Sequence, residues 1–323
     1  MRAVVLHSFG PPENLRYEEV PDLKPGPGEV RIAVRAAGVH LIETAMRAGL
    51  PIGPPLPELP SIFGGEVAGV VDAIGPDVDL SWLDAAVVTP RSTSGGYAEW
   101  AVAELPALHR IPAALDYSTA VAMIVTGTTT VEVLDIAALT ADDLVLVNSA
   151  AGGVGRLIVQ HARNIGARVI GAAGGPAKVA AVDALGADLA VDYNEPDWTD
   201  QVRQAFCDRA VTVVLDGVMG EKGRAAVSLL AEGGRYVTYG NASRESFEPD
   251  PEKLGEQGIT VIDALSIMLS KPREVRGEES RALAAAADGT MVPAVQTFPL
   301  DQAAKAHAAL ENRATTGKVV LIP

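Results

Sequence analysis

The stretch from Asp142 to Val179, DDLVLVNSAAGGVGRLIVQHARNIGARVIGAAGGPAKV, constrains the fold of this chain more than any other. An apolar run at Leu144–Val147 stops in a cluster of Ala and Gly. A helix-period pattern follows over Val154–Ile165, and a second apolar run occupies Arg168–Ala172. A strand, a helix and a strand packed into about 30 residues form a βαβ unit, which calls for a parallel sheet with helices on its faces. The series continues with a helix over Pro176–Leu185, a strand at Leu189–Val191, a helix over Thr199–Phe206 and a strand at Val211–Leu215. Glycine commonly ends a helix, so the next helix, near Glu221–Leu230, is expected to stop at Glu232-Gly233-Gly234, before a strand at Arg235–Tyr239. The fold class that follows is α/β, with a doubly wound parallel sheet.

The two ends of the chain have a different texture. The first third is rich in Pro and Gly, as in PDLKPGPGEVRIAVRAAGV and GLPIGPPLPELPS, around short apolar runs such as Val30–Val34 and Val67–Ile74. That spacing predicts many short strands joined by turns. A helical patch begins near Ser118, a strand is expected at Val261-Ile262, and an Ala-rich helix lies around Ser280–Ala287. The closing segments MVPAVQTF and GKVVLIP return to the strand pattern of the first third. The expectation is a nucleotide-type domain over residues 122–265, inserted into a discontinuous β-rich domain made of residues 1–121 and 266–323. No internal repeat is visible.

Ala150, Gly152 and Gly155 take the three places of a G-x-G-x-x-G fingerprint, here between a strand and a helix. Gly152 lets the backbone approach a pyrophosphate, and Gly155 lets the helix pack closely on its strand. The N–H groups of Gly153 and Val154 and the positive end of the helix then face the anion, with Ser149 and Ala151 completing the turn. Arg156-Leu157 stands where a Walker loop would have Lys-Ser/Thr, so the turn is of the dinucleotide kind. An NAD enzyme carries Asp or Glu at the end of the second strand for the ribose 2′-hydroxyl. This chain has Gly174-Gly175-Pro176-Ala177-Lys178 instead. A carboxylate repels the 2′-phosphate of NADP and an ammonium attracts it, by about 4 kcal/mol for unit charges roughly 4 Å apart near a surface. The stretch therefore favours NADPH.

Composition excludes several alternatives. With 41 acidic against 26 basic residues the formal charge is −15, which repels a phosphate backbone and argues against nucleic-acid binding. No uncharged run approaches the span a membrane helix needs, and the N-terminus has no signal-peptide pattern, so no membrane partner and a cytoplasmic location are expected. The single Cys207 cannot form an intramolecular disulfide and is expected to pack as a small apolar residue. His7, His40, His109, His161 and His307 show no paired spacing for zinc, and no metal site is expected.

The ordered set AAGVHLIETAMRAG, GGEVAGVVDAIG, GTTTVEVL, NSAAGGVG, ALGADLAVDY, GGRYVTYGNAS and RATTGKVVLIP resembles the zinc-independent quinone oxidoreductases, zeta-crystallin-like proteins of the medium-chain dehydrogenase/reductase superfamily. The resemblance covers nearly the whole chain. It implies a GroES-like catalytic domain at the chain ends, a Rossmann domain between them, and an NADPH site in the cleft between the two. Members use a lysine and, 15 residues later, a tyrosine for the 2′-phosphate, a spacing that Lys178 and Tyr193 keep. By the same resemblance Gly240-Asn241 lies on the adenosine and ribose side, Thr129 near the nicotinamide, and Arg313 or Lys318 near the cofactor's polar groups. A homodimer paired through an edge strand is implied as well.

Zinc-dependent relatives carry a Cys ligand at the position of His40, a His-Glu pair at Gly65-Glu66 and four clustered cysteines, of which only Glu66 remains here. Zinc makes alkoxide accessible near neutral pH, so alcohol oxidation is disfavoured without it. A quinone or an α,β-unsaturated carbonyl needs less help, because the charge left by hydride addition spreads to an oxygen that hydrogen bonds stabilise. His40 stands where the quinone oxidoreductase pattern commonly has Asn and is the candidate catalytic donor. Glu43 is expected to anchor a helix start or to pair with Arg47. Two tyrosines that some members place over the quinone are Ala45 and Pro51 here. The expected activity is hydride transfer from NADPH to a quinone or enone. The alternatives are a polyketide-type enoyl reductase and a non-catalytic NADPH-binding protein.

Overall fold

The computed structural model describes residues 1–53, 55–90, 95–207, 209–245, 247, 250–270 and 275–323. These divide into two compact units. One comprises residues 1–127, 279–289 and 293–323, and the other residues 128–278 and 290–292. No single helix among the described residues is long and apolar enough to cross a membrane.

Along the first unit run β1 (Arg2–Leu6), β2 (Leu15–Glu19), β3 (Glu29–Val39), α1 (Leu41–Arg47), β4 (Ser61–Ile62), β5 (Glu66–Ile74), β6 (Ala86–Pro90), β7 (Trp100–Glu104), β8 (His109–Arg110) and α2 (Tyr117–Ile124). Six of these strands have only two to five residues, set off by Pro and Gly, whereas β3 and β5 run longer than expected, to 11 and 9 residues. The helical patch expected near Ser118 is α2, started by the Asp116 carboxylate, which accepts from the Thr119 N–H at 2.6 Å.

The second unit runs α3 (Thr126–Ala137), β9 (Leu144–Asn148), α4 (Gly153–Asn164), β10 (Arg168–Ala173), α5 (Pro176–Asp183), β11 (Leu189–Asp192), α6 (Trp198–Ala205), β12 (Val211–Asp216), α7 (Gly220–Val227), β13 (Leu230–Thr238), α8 (Pro251–Glu256), β14 (Thr260–Asp263) and α9 (Ala264–Leu269), with the first two residues of α3 on the other side of the division. Its six strands are all parallel, in the order β11-β10-β9-β12-β13-β14. That is the doubly wound arrangement, in which the order reverses between β9 and β12 and leaves a crevice at their carboxyl ends. Every residue of β9 is buried, as a central strand covered on both faces requires. Leu144, Leu146, Ile170, Val214, Trp198 and Phe206 lie in one core cluster.

The chain returns to the first unit through α10 (Arg276–Ala287), β15 (Val295–Pro299), α11 (Ala303–Glu311) and β16 (Lys318–Ile322). β16 pairs antiparallel with β3, Val320 opposite Gly38, so the two ends of the chain share one sheet, as their matching texture predicted. The sheet order is β15-β16-β3-β5-β6-β8, with β7 added to β3, and a separate sheet has the order β2-β1-β4. Val30, Ile32, Phe63, Tyr97, Leu108 and Leu321 form the core of this unit.

Two expectations need correction. The helix expected to reach Leu230 ends at Val227, and Glu232-Gly233-Gly234 lies inside β13. Val211 pairs with Leu230 and Val213 with Arg235, so β13 bulges by three residues around Gly233, whose φ of 73° is easiest for glycine. Cys207 is exposed instead of packed, because α6 stops at Ala205 and the cysteine falls in the turn that follows.

Candidate functional site

In the second unit the fingerprint turn lies at the switch point. Ser149 leaves β9 with φ 62°, the Ala150 N–H donates to the Ala172 carbonyl at 3.0 Å, and the Gly152 N–H donates back to the Ser149 carbonyl at 2.9 Å. These bonds fold Ser149, Ala150, Ala151 and Gly152 into a tight hook ahead of α4. A Cβ on Gly155 would stand 2.2 Å from the Ser149 carbonyl oxygen, so only glycine lets the helix descend this close to its strand. Gly152 caps α4, and helix geometry leaves the N–H groups of Gly153 and Val154 without an acceptor in the helix. A glycine-lined turn, a helix of 12 residues behind it and outward N–H groups fit a pyrophosphate.

The neighbouring strand ends continue the crevice. Gly174 follows β10, and a Cβ there would meet the Tyr193 ring at 3.0 Å. Lys178 lies half-buried in the first turn of α5. Lys178, Tyr193 and Gly174 thus belong to adjoining ends of β10 and β11. The acid missing from the end of β10 has a neighbour that sequence reading overlooked. Asp192, which ends β11, accepts from the Gly175 N–H at 2.9 Å and from the Asn194 N–H at 2.9 Å. Gly240 follows β13 with its Cα side against the Gly217 carbonyl, and the exposed Asn241 side chain donates to the Glu245 carbonyl at 3.1 Å. Thr129 lies half-buried in α3.

Beneath this crevice is a buried polar cluster that sequence reading missed. The Asp216 carboxylate ends β12 and accepts from the Val218 N–H at 2.8 Å, the Tyr236 hydroxyl at 2.7 Å and the Asn148 amide at 3.2 Å. Asn148 also donates to the Lys222 carbonyl at 3.4 Å, and Tyr239 donates to the Asn148 carbonyl at 2.7 Å. Burial pushes the Tyr236 and Tyr239 hydroxyls far above the usual tyrosine range, and the Asp216 charge adds to it, so both remain donors. The cluster ties the ends of β9, β12 and β13 together.

In the first unit the polar residues form two linked arrays. Glu43 caps α1 by accepting from the His40 N–H at 2.7 Å, and it also accepts from the Gly65 N–H at 3.1 Å and the Tyr97 hydroxyl at 2.7 Å. The expected helix anchor is therefore correct, and Arg47 pairs with Glu311. The Tyr97 hydroxyl, kept neutral by burial, directs its hydrogen to Glu43, so His307 donates Nε2–H to the Tyr97 oxygen, 3.2 Å away. Burial, reinforced by the nearby Arg47 charge, holds His307 down at about 3 and keeps it neutral.

The second array is Glu66 with Lys318 and His40. Glu66 is fully buried and is approached by the Lys318 ammonium and by His40 Nε2 at 3.1 Å. A Cβ on Gly38 would overlap the Glu66 carboxylate, so glycine opens this niche. Burial alone would raise the Glu66 pKa, but Lys318 and His40 outweigh it and hold the group at about 2. Lys318 Nζ also lies 3.3 Å from His40 Nδ1. The same Nζ is 3.2 Å from His40 Nε2, so the ammonium faces both ring nitrogens and the carboxylate together. His40, expected as the donor to a substrate oxygen, instead faces the Glu66 carboxylate and the Lys318 ammonium in this arrangement. Nor does the set fit zinc: one imidazole and one carboxylate face a buried ammonium, and no three His, Cys, Asp or Glu among the described residues cluster as metal ligands. Arg313, exposed with φ 55°, follows α11.

Residues 26–113 match the family described as alcohol dehydrogenase GroES-like domain, and residues 185–321 match zinc-binding dehydrogenase. The chain is 32% identical to 2-haloacrylate reductase of a Burkholderia species, covering 99% of this chain and 98% of that protein. It is 30% identical to quinone oxidoreductase of Homo sapiens, covering 100% and 98%. The chain belongs to the medium-chain dehydrogenase/reductase superfamily.

Its fold is that of the superfamily's quinone oxidoreductases. The structure of Escherichia coli quinone oxidoreductase complexed with NADPH superposes with a TM-score of 0.88 at 28% identity, covering 100% of both chains. Within the superfamily this chain departs from the zinc pattern at a definable place. Gly65, where zinc-dependent members have histidine, supplies only its N–H to Glu43, and Lys318 takes up the charge of Glu66. Sequence reading placed Lys318 with the cofactor's polar groups. It had no means of seeing the contact with Glu66, 252 positions away along the chain.

Proposed function

We propose that this chain is a zinc-independent, NADPH-dependent oxidoreductase whose acceptor is a quinone or an α,β-unsaturated carbonyl. The observation that carries the reading is the glycine-lined hook at the switch point, with outward N–H groups at Gly153 and Val154 and a second strand that ends in Gly174-Gly175 without an acid of its own. In this reading Ser149, Ala151, Gly152, Gly153 and Val154 hold the pyrophosphate. Gly174, Lys178 and Tyr193 hold the 2′-phosphate, and Gly240 and Asn241 flank the adenosine ribose. Thr129 serves the nicotinamide side, and Arg313 contributes a cation to the polar groups. NADPH, once bound, supplies the hydride.

The chain's own residues supply binding and position. Lys318 and Glu66 neutralise each other and hold the His40 ring as a fixed, partly exposed wall. An acceptor whose charge delocalises onto its own oxygen needs no Lewis acid there, which supports the quinone or enone class over a simple alcohol. The relative named 2-haloacrylate reductase supports the same class, since a 2-haloacrylate is itself an α,β-unsaturated acid. The reading includes a homodimer. β14 is the outer strand of the second unit's sheet, and Val261, Leu265, Ile267 and Leu269 beside it are exposed.

The test is NADPH consumption against a panel of quinones, enones, 2-haloacrylates and simple alcohols or aldehydes, with NADH in parallel. We expect turnover with at least one conjugated acceptor, a preference for NADPH, and no loss of activity after dialysis against a chelator. Tight NADPH binding without turnover of any acceptor would replace this reading with that of a binding protein.

A further inference from the structure

Lys222 is a cation that the cofactor reading leaves unused. It lies half-buried on the first turn of α7, with its Nζ 5.8 Å from the centre of the Tyr193 ring. Lys222 follows β12 and Tyr193 follows β11, strands that are separated in the sheet by β10 and β9. The contact therefore spans the switch-point crevice, which is where a doubly wound sheet takes its ligand.

The position of Lys222 is set by the cluster beneath it. Asp216 accepts from the Val218 and Met219 N–H groups at 2.8 and 3.1 Å, and this draws the chain back on itself. Met219 and Gly220 both take positive φ, 63° and 59°, so α7 begins in a sharp turn. A Cβ on Gly223 would stand 2.5 Å from Asp216 Oδ2, so the helix rests directly on the strand ends. Asn148 then holds the Lys222 carbonyl itself. Backbone this tightly fixed on both sides of Lys222 sets where its Cα sits, and from there the side chain reaches across the crevice to the tyrosine.

We infer that Lys222 is a second cation of the 2′-phosphate subsite and acts with Lys178 and Tyr193 to set the preference for NADPH. The inference rests on the reading of Tyr193 and Lys178 as phosphate contacts. A phosphate monoester carries nearly two negative charges near neutral pH, so one lysine leaves it under-compensated. The nearby acid, Asp192, is engaged by two backbone N–H groups and makes a second cation more valuable. The ammonium lies against the tyrosine ring, a cation–π contact that holds it beside that residue.

The test is calorimetric titration of the wild type, Lys222→Met, Lys222→Arg and Lys178→Met with NADPH, NADH, 2′,5′-ADP and 5′-AMP. Methionine keeps the aliphatic stem against the ring and removes only the charge. We expect Lys222→Met to weaken NADPH and 2′,5′-ADP by about tenfold or more, as for loss of a charge-assisted hydrogen bond, and to change NADH and 5′-AMP by less than about twofold. Lys222→Arg should retain most of the affinity. Equal losses for the phosphorylated and unphosphorylated ligands, or no loss at all, would overturn the inference while Lys178→Met still reports on the subsite. A wild type without preference for NADPH would overturn the underlying reading and the inference with it.

Discussion

The two units carry their chemistry in opposite ways. In the second unit the candidate site is made of backbone: small residues, a helix start, and N–H groups left over by helix geometry, all within the short run from Ser149 to Gly155. In the first unit it is made of side-chain charge brought together from far apart, as when Lys318 meets Glu66 and Arg47 meets Glu311. A backbone site tolerates changes in the residues around it but not added volume. A charge array tolerates volume but not the loss of one partner. The two regions should therefore fail differently when altered, and the experiments below are ranked by the size of the failure.

The largest effect is expected from Lys318→Met, which strands an ionised, fully buried carboxylate. Breaking a buried pair on one side costs about 3–5 kcal/mol, whereas replacing both partners together is close to neutral. Thermal or urea unfolding should show that loss for Lys318→Met, and recovery of most of it in Lys318→Met/Glu66→Gln. If the single variant melts like the wild type, the contrast between the units is lost.

The next effect separates the two arrays of the first unit by pH. His307 is held at about 3 against an ordinary 6.5, so the unfolded chain binds a proton that the folded chain refuses. Stability from this group is complete above 6.5 and falls as the pH drops toward 3. By pH 4.5 the loss should reach about 2–3 kcal/mol. Glu66, held at about 2 against an ordinary 4.5, contributes above 4.5 and loses its contribution between 4.5 and 2. His307→Gln keeps a donor for Tyr97 but does not titrate. Its melting temperature should stay level from pH 7 to 4.5 where the wild type declines; between 4.5 and 3 the wild type should fall more steeply than the variant, and below 3 the two should run together. Parallel curves above 4.5 would remove His307 from the account.

The difference between the regions also explains what could be read in advance. The alternation of strands and helices and the fingerprint turn were readable because they depend on local periodicity and on small residues at fixed offsets, as at Gly152 and Gly155. Asp216 gave no such signal, because an aspartate at a strand end resembles any turn residue until Tyr236 and Asn148 are seen to point at it. Tyr97 and His307 lie 210 positions apart and share a hydrogen bond that no window of sequence contains. The bulge at Gly233 was misread as a helix stop, since glycine with positive φ serves both purposes.

In the backbone site the corresponding test is Gly155→Ala. The added methyl would lie 2.2 Å from a backbone oxygen, which cannot swing aside as a side-chain tip can. Overpacking of this kind costs roughly 1–3 kcal/mol, and relief requires α4 to rise off β9, which moves the Gly153 and Val154 N–H groups. We expect modest destabilisation together with weakened binding of NADPH and NADH alike, measured by titration. Unchanged affinity for both would mean that the helix start does not contact the pyrophosphate.

The smallest effect is expected where the sequence suggested a large one. His40 Nε2 lies 3.1 Å from Glu66, and Lys318 Nζ lies 3.2 Å from Nε2 and 3.3 Å from Nδ1, so the ring is held between two charged groups. A residue that donates to the acceptor oxygen in the transition state typically contributes a hundredfold or more, about 2.7 kcal/mol. A residue that only packs and orients contributes far less. His40→Gln retains a donor toward Glu66 and should therefore keep kcat for the best quinone or enone within about threefold. A hundredfold fall in kcat at unchanged NADPH affinity would mean that the ring leaves Glu66 when the acceptor binds. The charge array would then be a resting arrangement that the reaction takes apart, and the two regions would no longer differ in how they act.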